Sequence, residues 1–85
     1  MTNIQLSNSR VKITLDETIN NHEGLSRNAV AVEGKIRPAT ISELVNGKSK
    51  ALSFDTLQRI VDALNTLTGV RHTIDDVITI EYKDE

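Results

Sequence analysis

Cysteine and tryptophan are absent from this 85-residue chain, and its aromatic residues are one phenylalanine, Phe54, and one tyrosine, Tyr82. Without a thiol there is no disulfide framework, thiolate nucleophile or Cys-based zinc site. Two aromatic rings cannot build a stacking platform for single-stranded bases or an aromatic groove for peptides. His22 and His72 stand far apart in the sequence and read as isolated residues, so neither a metal nor any other cofactor is expected; His22 reads as an exposed residue at a helix end. Apolar runs are only a few residues long, which leaves no membrane span and no signal-peptide core; a cytoplasmic location is the expectation. At 9.4 kDa the chain can enclose one core, so residues 1–85 are read as a single domain. A separate substrate domain does not fit, and no enzyme is expected.

Positive charge is scarce overall, with a formal net charge of −2, but it is segregated. Residues 26–50 hold Arg27, Lys35, Arg37, Lys48 and Lys50 against Glu33 and Glu43, whereas residues 51–85 hold three cations against seven carboxylates. Screening in salt limits an exposed charge to a range of roughly 8 Å, so the local excess matters more to a phosphate than the total does. The same basic residues also read as an ordinary solvated surface.

The periodicity is mostly helical. Val11, Leu15 and Ile19 recur at helical spacing and predict a first helix ending near Asn20. Thr14 to Glu17 also reads as a capping box, which would start that helix at Leu15 and leave residues 10–13 extended. Three later helix starts share a hydrophobic staple: Ser26 between Leu25 and Val30, Arg37 between Ile36 and Ile41, and Ser53 between Leu52 and Leu57. They predict helices over about 27–33, over 38–46 with Pro38 at the first position and Gly47 beyond the end, and from 54 to near Asn65. Thr73 with Asp75 and Asp76 predicts one further helical turn; the acidic pair is a helix start favoured by the dipole rather than a metal or acid-base site. Ile78, Ile80 and Tyr82 alternate as a strand, and so do Ile4 and Leu6. The two could pair with each other or with a second subunit. The expected fold is therefore all-α, with five helices and a minor β element formed by the chain ends.

The three residues Gly34-Lys35-Ile36 between the second and third helices set the steep angle of a helix-turn-helix. Together, residues 25–31, 36–50 and 54–64 resemble the lambda-repressor/Cro-like (Xre-type) helix-turn-helix family, through small Ala31 at the helix crossing, apolar Ile36, Ile41 and Leu44, and the Asn46-Gly47-Lys48 ending. The resemblance spans about residues 11–78, with the helix-turn-helix at 26–47 and an accessory segment at 70–85. It implies a transcriptional regulator; some members are antitoxins. One position departs from the pattern: the expected turn glycine falls on Lys35, with Gly34 one place early. Either Lys35 takes a left-handed backbone at a cost of about 1 kcal/mol, or the turn shifts.

In a helix-turn-helix the third helix lies in the major groove and the preceding helix crosses the backbone. With Ile41, Leu44 and Val45 turned inward, Arg37, Pro38, Ala39, Ser42 and Glu43 are the expected base readers. Arg37 can fork onto guanine or clamp a phosphate, Ala39 can meet a thymine methyl, and Glu43 can accept from cytosine. Ser26, Arg27, Asn28, Thr40, Asn46, Lys48, Ser49 and Lys50 are the expected phosphate contacts. Glu43 also reads as solvated surface, and Ser26 is first of all a cap. The function expected is a sequence-specific double-stranded DNA-binding regulator, a repressor, acting as a homodimer on operator half-sites about 34–36 Å apart. The alternative is a protein-interaction module of the same fold, an antitoxin or a modulator of another regulator, with a toxin or that regulator as partner and weak or no DNA binding. Net acidity, Glu43 and the Lys35 turn point that way.

Overall fold

The computed structural model describes residues 8–82. Their order is strand β1 (Ser9–Ile13), helices α1 (Leu15–Asn20), α2 (Arg27–Gly34), α3 (Pro38–Val45) and α4 (Phe54–Thr68), one 3-10 turn (Ile74–Asp76) and strand β2 (Ile78–Tyr82). The domain is mostly helical, with four α-helices and a two-stranded antiparallel sheet from its ends. The fifth helical element expected at Thr73 is this 3-10 turn. It holds a full capping box: the Thr73 side chain accepts from the Asp76 amide, and Asp76 Oδ2 accepts from the Thr73 N–H at 3.0 Å.

Val11 lies in β1 and is 60% exposed, so the first helix does not reach it. Leu15 begins α1, in accord with the capping-box boundary, yet the Thr14 side chain makes no cap. Its hydroxyl donates instead to the Asp75 carbonyl at 2.6 Å, and the Thr18 hydroxyl donates to the Asp76 carbonyl at 2.7 Å. The amides of Thr14 and Leu15 both donate to the Val77 carbonyl, at 2.9 and 3.1 Å. Four bonds thus fasten the start of α1 to the carbonyl end of the 3-10 turn, and they account for buried Thr18.

β2 pairs with β1; the alternative partner segment with Ile4 and Leu6 lies outside the described residues. The register sets Ser9 opposite Tyr82, Val11 opposite Ile80 and Ile13 opposite Ile78. Ile13 and Ile78 pack on the core, while Val11, Ile80 and Tyr82 are exposed.

The core consists of Leu15, Ile19, Val30, Ala31, Ile41, Leu44, Ile60, Ala63, Leu64 and Val77, so every helix and the segment before β2 contribute to it. Leu25, Ile36 and Leu52 pack against its margin, as the three staples require. Ser26 Oγ accepts from the Ala29 amide at 3.0 Å and Ser53 Oγ from the Thr56 amide at 3.1 Å, each satisfying a donor left free at a helix start. α4 runs one turn beyond Asn65 and closes at left-handed Gly69. Asn65 is no terminator; its side-chain oxygen accepts from the His72 amide at 2.7 Å and pins the chain that leaves the helix. His22 is half-buried, not exposed, and its ring lies edge-to-face with that of His72 at 5.4 Å.

Candidate nucleic-acid interface

The geometry of the α2–α3 corner follows from two adjacent residues. Gly34 is buried, and a Cβ there would stand 2.9 Å from Ile36 Cδ1 and 3.1 Å from the Arg59 carbonyl oxygen. The glycine therefore serves the close approach of α2 to α4. The left-handed residue that ends α2 is Lys35, with φ 56° and ψ 47°. Around it the Ile36 amide donates to the Ala31 carbonyl at 2.8 Å and the Lys35 amide to Val32 at 3.2 Å, the bond pair of a Schellman ending. The turn is thus unshifted, and Lys35 carries the strain. α3 ends in the same manner at Gly47, where the Lys48 amide donates to Glu43 at 2.8 Å.

α3 divides cleanly. Ile41 and Leu44 are buried, whereas Arg37, Pro38, Ala39, Glu43 and Asn46 are exposed, with Thr40, Ser42 and Val45 half-buried at the flanks. Pro38 fills the first helical position, and Arg37 precedes it without a side-chain cap. Asn46 closes the helix as its C-cap. The loop beyond brings Lys48, Ser49 and Lys50 to the surface with no carboxylate among them. Phe54, 89% exposed, stands at the far side of this loop.

The expected phosphate contacts on α2 are less uniform. Asn28 is exposed. Arg27 is half-buried and its Nε donates to Asp16 Oδ1 of α1 at 3.1 Å, so this cation is already engaged. Ser26 Oγ is occupied as the cap acceptor. Sequence reasoning left Lys35 and Arg59 out of the interface, although both border a cleft beside Arg37 and Thr40. Arg59 Nε donates to Asp55 Oδ2 one helical turn earlier at 2.9 Å.

Among the described residues no cluster of three or more His, Asp or Glu is placed to hold a metal ion, and no helix is long and apolar enough to cross a membrane. Asp76 is spent on its capping box.

Residues 18–69 match the family model for helix-turn-helix domains, which is more than half of the chain. The chain belongs to the Xre, or lambda-repressor-like, helix-turn-helix family, a family of DNA-binding transcription regulators. No curated protein and no solved structure gave a match.

Proposed function

We propose that this protein is a sequence-specific double-stranded DNA-binding transcriptional repressor that reads the major groove with α3 and acts as a homodimer. The observation that carries this reading is the split surface of α3: a buried Ile41–Leu44 edge fixes the helix, and Arg37, Pro38, Ala39 and Glu43 stand free on the other side. Arg37, Pro38, Ala39, Ser42 and Glu43 are the base readers. Asn28, Thr40, Asn46, Lys48, Ser49 and Lys50 meet phosphates, with Ser26 and Arg27 contributing after exchange of their present partners. Residues 1–85 form one domain in this reading, with residues 70–85 as an accessory segment, and the protein works on DNA in the cytoplasm without catalysing a reaction.

A dimer follows from affinity, since one small module buries limited DNA surface and two-fold half-sites about 34–36 Å apart multiply its binding. Exposed Glu43 on the reading face favours the second reading, a protein-interaction module of the same fold that binds a toxin or another regulator. Selection of sites from random duplexes, read with Arg37→Ala in parallel, tests the first. The expected outcome is a two-fold motif for the parent, and for the variant a loss of about 1–3 kcal/mol with relaxed preference at one base pair per half-site. A variant returning the parental motif at parental affinity removes Arg37 from the interface. A parent with no salt-dependent duplex binding leaves the interaction module.

A further inference from the structure

We propose that Lys35 and Arg59 form a phosphate clamp beside Arg37 at the start of α3, taking a backbone phosphate of the bound duplex. The inference rests on the DNA-binding reading of α3. A cleft of about 360 Å³ between the α2–α3 turn and the first turns of α4 brings these two cations together with the Thr40 and Thr56 hydroxyls and a single carboxylate, Asp55, with Arg37 at its border. Two N–H-rich cations and two hydroxyls against one carboxylate, with the charge of Arg37 alongside, form a donor set suited to an oxyanion.

The carboxylate does not close the site. Asp55 holds Arg59 at 2.9 Å, but the pair is exposed, with side-chain exposures of 48% and 75% for Arg59 and Asp55. An exposed pair of this kind is worth little and is readily exchanged for a doubly hydrogen-bonded phosphate. Among the described residues Lys35 and Arg37 make no ion pair. A neighbouring cleft shares Lys35 and Arg59 and contains Glu33 and Asp62, so these two acids lie outside the α3-side cleft.

Lys35 supplies a second, independent indication. It is the one non-glycine residue at positive φ among the described residues. A glycine would hold the same turn without strain, but it would bring no charge. A strained residue whose side chain borders a cationic cleft is explained by what the side chain binds. The position selects the source of the phosphate as well. The cleft opens where α2 ends and α3 begins, and in a helix-turn-helix the helix that precedes the reading helix crosses the sugar-phosphate backbone.

The test titrates the parent, Lys35→Gly, Arg59→Gln and the double variant with a duplex across about 50–200 mM salt. Each single variant is expected to flatten the log–log salt slope, and the double variant, which releases the one phosphate, to flatten it by about 0.9, or about threefold less change in affinity over that range. The selected motif stays parental, and Lys35→Gly melts at a higher temperature than the parent. Variants that keep the parental slope, or that change the motif at that slope, overturn the clamp. The parent curve alone judges the DNA-binding reading: a parent without salt-dependent binding fails both, whereas a steep parent with equally steep variants fails only the clamp. Amide shifts at Thr40 and Thr56 under inorganic phosphate give the other arm. Saturable shifts abolished by the two substitutions, with duplex slopes unchanged, assign the cleft to a free anion and overturn the DNA source.

Discussion

At the scale of single residues, Gly34 and Lys35 divide a task that one glycine often performs in a helix-turn-helix corner. Gly34 has no Cβ because Ile36 Cδ1 and the Arg59 carbonyl occupy its place at 2.9 and 3.1 Å. Ile36 can yield at the end of its side chain, but the α4 backbone cannot yield as easily. Gly34→Ala is therefore expected to destabilise by about 1–2 kcal/mol despite alanine's better helix propensity, because overpacking outweighs it. Urea denaturation reads the difference, and an unchanged midpoint would show that α4 can move aside. Lys35 was legible in the sequence as a departure from pattern, and the left-handed option proved correct. The reason was not legible. Only the packing of α2 on α4 explains why the glycine stands one position early.

At the scale of elements, the boundaries marked by local chemistry were legible and those set by distant contacts were not. Ser26, Pro38 and Ser53 fix three helix starts through bonds or φ preferences within a few residues, and the structure starts its helices there. Val11 fits two periods at once, with Leu15 at helical spacing and with Ile13 at strand spacing, and the choice falls to its partner Ile80 in β2. Asn65 resembles a helix terminator until His72 folds back onto its side chain. The exposed face of α3 was legible because burial of Ile41 and Leu44 follows from periodicity. The approach of Arg59 to Lys35 depends on how two helices cross, and no spacing encodes it.

The α3–α4 loop carries its own prediction. Lys48 and Lys50 lie past the cap at Gly47, and the proposed docking of α3 sets them against the backbone and away from base edges. Lys48→Ala and Lys50→Ala are each expected to weaken all duplexes alike and to lower the salt slope by about one. A change of sequence preference at constant slope, read by site selection, would contradict their placement.

At the scale of the whole molecule, the two strands that bracket the helices are part of the fold. Val77 is fully buried, its carbonyl accepts from both Thr14 and Leu15, and the strand after it is the partner of β1. Removing residues 77–85 would take away a core side chain, the acceptor at the start of α1 and one of two strands together. The expected result is loss of cooperative unfolding or a fall in melting temperature of at least ten degrees, on the order of several kcal/mol for a domain this small. Calorimetry checks it. A truncated chain that kept its transition would demote the ribbon to an appendage.

The ribbon also determines how the molecule responds to being pulled. Ser9 and Tyr82 face each other at its open end, and Ile13 and Ile78 face each other at the core. Tension applied through the two ends therefore meets the ladder one rung at a time, peeling it as a zip and loading no two rungs together. Mechanical resistance is low along this direction even though the helices behind it remain packed. Once the last rung opens, the load passes to the Val77 carbonyl, which becomes the latch between a frayed end and the helical core.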